Sequence, residues 1–381
     1  MDFELTEEQR MVRHAVRRFA ETELRPRAPE IDEGATFPVD LIPKMAAMGL
    51  MAMAVPDEFG GAGFDAVGMA VAIEEIGRVC GGTGLSLAAH NGLGCFPIAY
   101  WGSRAQKERW LPVLAQGDSL GALALTEPGA GSDLQGVQAR AVRHGDHWLI
   151  DGTKAWITNP SLAQVVVVFL RTSPEGSKDA FSMILVEMDR PGVTVHPKEK
   201  KMGVRGSPTH QISFEGVRVP VENLLGEEGR GLQQTLQTLD GGRISIGALS
   251  VGIAQGALEE AVSYAKERSA FGRPISNFEA IQWMLADAGT EIEAARLLVY
   301  RAAWLKDRGV RFTREAAMAK LFASETGERV TRSAIQILGS YGYSSEYPVE
   351  RMYRDARLMT IGEGTSEVQR LVIARQLMSL Y

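Results

Sequence analysis

Glu363 stands between two glycines in the stretch Met359-Thr360-Ile361-Gly362-Glu363-Gly364-Thr365-Ser366-Glu367. Glycine on both sides permits φ angles closed to other residues and lets a ligand come near the backbone. Ser366 and Gln369 have capping-box spacing, so a helix is expected to begin at Ser366. A carboxylate in a tight turn at a helix start is a placed group, although a plain turn glutamate has the same local sequence. Three other stretches carry side chains suited to a cofactor. Leu125-Thr126-Glu127-Pro128-Gly129-Ala130-Gly131-Ser132-Asp133 offers hydroxyls and open amides that can wrap a phosphate or a polar ring edge, and reads equally as a crossover loop. Lys154-Ala155-Trp156-Ile157-Thr158-Asn159 sets an indole ahead of a hydroxyl, to stack on a flat ring and bind its edge or simply to fill a core. Glu267-Arg268-Ser269-Ala270-Phe271-Gly272 ends a long helix with an arginine, either a phosphate ligand or an ordinary helix-dipole partner.

Other chemistries lack their signatures. The sequence has no G-x-G-x-x-G, no Walker A loop and no G-x-S-x-G. His144 and His147 sit in a turn without further ligands nearby, so they read as surface histidines and no metal site is expected.

The elements that must hold these residues fall into three blocks. Thr6 and Gln9 form a capping box ahead of Val12, Ala15, Val16, Phe19 and Ala20 at helical spacing. Helices are expected at 67–79, interrupted by Gly81-Gly82-Thr83-Gly84, then at 85–100 and at 106–115, where Gly117 stops the last. Short β-branched or aromatic runs follow at 139–142, 148–150, 155–158, 165–170, 181–187, 193–196 and 211–214, the first two joined by the turn His144-Gly145-Asp146-His147. The 3.6-residue period returns over 231–268, 277–308, 313–338 and 366–380, with short connections that make an antiparallel bundle. The expected domains are 1–119, 120–226 and 227–381.

The chain has 381 residues, 45% of them hydrophobic, and a net charge of -6, enough for two or three domains. Mild acidity argues against a nucleic-acid partner. Cys80 and Cys95 alone indicate a reducing compartment and buried thiols rather than a disulfide framework. The N-terminus enters a helical pattern without a signal-like segment, and no apolar run reaches the roughly 18 residues of a membrane span. A cytoplasmic protein without membrane contact is expected.

LTEPGAGSD, WITN, ERSAFG, QILGSYGY (336–343) and GEGTSEVQR (362–370), in this order on this architecture, resemble the acyl-CoA dehydrogenase family over essentially the whole chain. The texture is most similar to the short-chain and butyryl members. The resemblance implies an α+β fold with an N-terminal helical domain, a middle antiparallel β domain and a C-terminal four-helix bundle. It implies FAD and the oxidation of an acyl-CoA thioester to the trans-2-enoyl-CoA, with an electron-transferring flavoprotein as acceptor. By resemblance Glu363 removes the α proton while hydride leaves Cβ for the flavin, and the Glu363 N–H helps polarise the thioester carbonyl. Apolar surroundings should raise the Glu363 pKa while the helix N-terminus opposes the rise. Some relatives carry the base on the first long C-terminal helix; the matching residue is Gly242, which leaves Glu363 without a rival.

The family's flavin contacts fall on Leu123, Leu125, Thr126, Gly131, Ser132, Trp156, Ile157, Thr158, Arg268, Phe271, Gln336, Gly339, Ser340, Thr365 and Glu367. Its acyl-CoA contacts fall on Ser132, Ser207, Asp240, Arg243 and Gly364. Arg268 and the 336–340 segment reach FAD across a subunit interface in the family, which implies a homotetramer built as a dimer of dimers. Two departures are Ser340, where glycine is common, and Glu279, where glutamine is common. An oxidase on the same scaffold and a non-catalytic, DNA-binding flavoprotein are the alternatives. The second would want a basic C-terminal surface or extension, whereas this acidic chain ends at Tyr381, directly after the last expected helix. Acyl length stays open, because the pocket is expected between the helices around 80–94 and 238–252 and depends on their packing.

Overall fold

Thr6 caps the first helix: its hydroxyl accepts the Gln9 N–H while the Gln9 side chain accepts the Thr6 N–H. The structure is a computed structural model that describes residues 4–173, 177 and 180–379. The N-terminal helices are α1 (Glu7–Phe19), α2 (Ala28–Glu33), α3 (Ile42–Ala47), α4 (Ala66–Gly77), α5 (Gly81–Ala89), α6 (Phe96–Trp101) and α7 (Arg104–Gln116). Gly117 ends α7 in the left-handed conformation, φ 78°. The four-residue glycine segment opens α5 instead of breaking a helix, so that expectation is corrected. Its glycines serve close packing: a Cβ on Gly81 would lie 2.7 Å from the Asp355 carboxylate, and one on Gly84 would lie 2.6 Å from Leu249 Cδ1. Every residue of α4 and α5 is buried.

The middle region is one seven-stranded sheet of β1 (Leu123–Ala124), β2 (Arg140–His144), β3 (His147–Thr158), β4 (Val165–Arg171), β5 (Phe181–Glu187), β6 (Val193–Val195) and β7 (Thr209–Pro220). The order is β1-β4-β2-β3-β7-β6, with β5 along β4. Pairing is antiparallel apart from β1 with β4 and a single residue pair of β2 with β4. The β2–β3 hairpin lies between β1 and β4 in the chain and makes the connection long enough for a parallel pair. The hairpin turns at His144 and His147 as expected.

The C-terminal region contains α8 (Gly231–Glu267), a two-residue ribbon of β8 (Ser269–Ala270) and β9 (Arg273–Pro274), α9 (Glu279–Asp307), α10 (Thr313–Leu338), α11 (Val349–Met359) and α12 (Ser366–Met378). Leu380, where the last helix was expected to end, lies outside the described residues. Helix α11 is additional to the four expected. Its buried Val349, Met352, Asp355, Ala356 and Met359 keep helical spacing, but arginines and acids crowd the short segment and mask it. The α12 N-cap is Thr365, whose hydroxyl accepts the Val368 N–H, one residue before the expected position. Cys80 and Cys95 are buried and free. Among the described residues no helix is long and apolar enough to cross a membrane, and no group of three His, Cys, Asp or Glu could hold a metal.

Candidate active site

Glu363 occupies the turn between α11 and α12. The Ile361 and Gly362 amides close on Leu358 O, and the Ser366 amide closes on Thr360 O. Between them Glu363 takes φ 52° and Gly364 φ 95°, both left-handed. A glutamate rarely adopts that conformation, so the turn must be held by its surroundings. The side chain runs toward α8 at Gly242. A Cβ on Gly242 would lie only 1.9 Å from Glu363 Oε2. Glycine at 242 is therefore a condition for the carboxylate to sit where it does.

The carboxylate lies in an unusual electrostatic setting. Its Oε2 is buried and has no hydrogen-bond partner, as are Arg243 Nε and Ser366 Oγ. Burial pushes the Glu363 acid up to about 7, against the pull of the Lys320 ammonium and the Arg243 guanidinium. Arg243 is joined to Asp240 at 2.6 Å, and Asp240 also accepts the Thr313 hydroxyl at 2.6 Å. Burial raises the Asp240 acid and lowers the Arg243 guanidinium. Lys320, with no solvent exposure, donates to Gly364 O at 2.7 Å, and burial brings it down to about 8. A carboxylate with a buried, unpartnered oxygen that titrates near neutrality is matched to general-base chemistry.

A second set of predicted residues gathers on the sheet. Glu127 accepts the Gln138 and Ala139 amides at 2.8 and 2.9 Å and the Lys154 ammonium at 2.9 Å. Lys154 also donates to Leu125 O, and the Ala155 amide to Thr126 O, so the 125–132 loop lies beside Trp156. Trp156 sits at a bulge in β3 with φ 60° and is 60% exposed, which excludes the core reading of this indole. Leu125, Thr126 and Thr158 are half-buried, and Gly131 and Ser132 are exposed. Gly129 and Gly131 face open space where a Cβ would be. Leu123 and Ile157 turn their side chains into hydrophobic cores, which leaves their backbone for a ligand.

The remaining predicted residues lie elsewhere. Arg268 follows the end of α8, 26 positions from Gly242 at 1.5 Å per residue, so about 40 Å separates them along the helix. Phe271 is 96% exposed, with φ 52°, and Gln336 in the last turn of α10 and Gly339 and Ser340 just beyond it are exposed. Tyr264 and Tyr341, 6.3 Å between ring centres, tie these two ends together. One chain does not bring this group to Glu363. Ser207 is fully buried, its hydroxyl accepting from Ser86 at 2.9 Å, and the fold does not present it to a diphosphate. Thr365 is half-buried at the cap of α12 and Glu367 is exposed in its first turn. Glu279 is the exposed first residue of α9, where a carboxylate suits the helix dipole.

Three domain families described as the N-terminal, middle and C-terminal domains of acyl-CoA dehydrogenase match residues 6–118, 122–217 and 229–378. The chain belongs to the acyl-CoA dehydrogenase family. It is 53% identical to a probable acyl-CoA dehydrogenase of Bacillus subtilis (strain 168), over 99% of this chain and all of the relative. It is 48% identical to the mitochondrial short-chain specific acyl-CoA dehydrogenase of Bos taurus, over 99% of this chain and 92% of the relative. Butyryl-CoA dehydrogenase from Megasphaera elsdenii superposes with a TM-score of 0.97 at 41% identity, covering 99% of this chain and all of that one. A chain solved in work on the electron transferring flavoprotein of Acidaminococcus fermentans gives 0.97 at 44% identity, with the same coverage.

Within an acyl-CoA dehydrogenase fold, Gly242 and Glu363 are neighbours in space although 121 positions apart. A side chain at either position would therefore enter the same space. Sequence reasoning missed Lys320, Gln369 as a side-chain donor, and the Lys154–Glu127 pair. A signal for Lys320 existed: it lies on the stripe Ala316, Lys320, Ala323, Gly327, Val330 and Ala334, the buried face of α10.

Proposed function

We propose that this chain dehydrogenates short acyl-CoA thioesters between Cα and Cβ, with Glu363 as the base that takes the α proton. The observation that carries this reading is the buried, unpartnered Glu363 Oε2, held against Gly242 and titrating near neutrality. Removing an α proton from a thioester needs a placed base and donors for the developing oxyanion. The Glu363 N–H has no acceptor among the described residues and is available as such a donor. Asp240, Arg243, Gly364 and Ser132 are the residues for the acyl-CoA, and the orphaned Arg243 Nε fits a polar ligand.

FAD, when bound, supplies the hydride acceptor that no side chain provides. The exposed Trp156 bulge, the open glycines of the 125–132 loop and the unpartnered Ser366 Oγ fit a flat, polar-edged group. Thr126, Gly131, Ser132, Trp156, Thr158, Thr365 and Glu367 would hold it, with backbone from Leu123, Leu125 and Ile157. Arg268, Phe271, Gln336, Gly339 and Ser340 would hold the FAD of a second subunit. The span of about 40 Å along α8 supports that, as does the near-complete exposure of Phe271. A homotetramer with domains at 1–119, 120–226 and 227–381 and an electron-transferring flavoprotein as acceptor completes the proposal. The packing also favours a short acyl chain. Leu249 fills the cleft between α4, α5 and α8 so tightly that a Cβ on Gly77 or Gly84 would meet it at 2.7 or 2.6 Å.

Anaerobic bleaching of the yellow protein by butyryl-CoA, followed by fast reoxidation with an electron-transferring flavoprotein and slow reoxidation in air, is the expected behaviour. Glu363→Gln should lower turnover by about 10²–10⁴. Near-normal turnover in that variant would refute the assignment, and equally fast reoxidation by oxygen would favour the oxidase.

A further inference from the structure

Lys320 lies beside Glu363 with no part in proton removal or in holding FAD. Its side chain is wholly buried on α10, and its hydrogen-bond partner is a neutral oxygen, Gly364 O, at 2.7 Å. An ammonium without a bonded carboxylate is costly in a core of alanines, where methionine would pack as well. The oxygen it grips also accepts Gln369 Nε2 at 2.9 Å, and Gln369 too is wholly buried. Both donors thus close on the carbonyl that follows Glu363, in a turn with two successive left-handed residues.

We propose that Lys320 is a positioning residue for the base: its grip on Gly364 O fixes the Glu363 turn, and its charge favours the ionised Glu363 carboxylate. This rests on Glu363 being the base. The neighbouring charges leave Lys320 in that position. Arg243 faces Glu363 from α8 but is committed to Asp240. Lys306 reaches in from α9 beside Gly241 and stands over the Phe96 ring. Arg357 of α11 is joined to Glu328. Glu367 of α12 and Glu325 of α10 act on Lys320 only at longer range. Arg357 also donates to the Thr360 hydroxyl at 2.9 Å, at the start of the turn, whereas Lys320 is joined to the carbonyl that follows Glu363, and burial brings it only to about 8, so it is charged at neutral pH.

The test is the pH profile of kcat/KM for butyryl-CoA in Lys320→Met, Lys320→Gln, Lys320→Arg and Gln369→Met. Loss of the charge in the first two should raise the midpoint of the acid limb by about one pH unit, so activity at pH 7 falls about fivefold more than at alkaline pH. Arginine should leave the midpoint in place. Gln369→Met should lower kcat without moving it, because the ammonium remains. A readout independent of turnover is a double-mutant cycle in melting temperature on the purified flavoprotein. The gain from Glu363→Gln, read between about pH 7 and 8 where Glu363 is ionised and Lys320 still charged, should be larger in the Lys320→Met background than in wild type. If Lys320→Met does not fold, Lys320→Gln takes its place in both measurements. A uniform loss at every pH with an unmoved midpoint, or an additive cycle, overturns the role of Lys320. Normal turnover in Glu363→Gln overturns the base assignment first, and the two failures are told apart by that variant.

Discussion

Removing the carboxylate from the active site should stabilise the protein at alkaline pH while it abolishes catalysis. Burial raises the Glu363 acid from 4.5 to about 7 in the folded state, and the attraction of Lys320 and Arg243 is already contained in that value. The difference between the two values converts to about 3 kcal/mol. The sign follows from linkage. Below about pH 4.5 the group is protonated in both states and carries no penalty. Between 4.5 and 7 only the unfolded chain ionises, so folding stability falls as pH rises. Above 7 the full penalty of about 3 kcal/mol is present. Glutamine has the shape without the charge, so Glu363→Gln should show that gain at pH 8 and none near pH 4.5. For 381 residues this corresponds to about 4 °C in melting temperature. Differential scanning calorimetry of both proteins across that pH range measures it. A variant no more stable than wild type at pH 8, or equally stabilised at every pH, would refute the burial of this charge.

Three further outcomes are expected. The kcat/KM of wild type should fall tenfold per pH unit on the acid side of about 7, since only the ionised Glu363 accepts a proton; a limb centred near 4.5 would show the carboxylate solvated. Gly242→Ala brings a methyl to 1.9 Å from Glu363 Oε2 and must displace it, so kcat/KM should drop by about 10² with flavin content unchanged, and an active variant would mean the side chain points elsewhere. Lys154→Met leaves Glu127 buried without its cation and frees the 125–132 loop, so flavin should dissociate about tenfold more readily, measured by the fluorescence released on dilution.

Local signals carried much of this protein into the sequence itself. The capping box at Thr6 and Gln9, the glycine stop at Gly117 and the hairpin at His144–His147 depend on neighbours in the chain, and all three form as read. The long apolar periods of α8, α9 and α10 are equally local, and the glycines around Glu363 mark a backbone turn that other residues would strain. What tertiary structure alone decided is what lies across from each marked residue. Gly242 meets Glu363, Leu249 meets Gly77 and Gly84, and Lys320 meets Gly364 only after helices distant in sequence pack together. Glycines 81, 82 and 84 read as a helix breaker because a missing side chain looks the same whether it frees the backbone or makes room for a neighbour. Helix α11 stayed hidden because Arg354, Asp355 and Arg357 find their partners on other elements. Charge, burial and the pKa of the base depend on distances between elements, and a sequence records residue types without those distances.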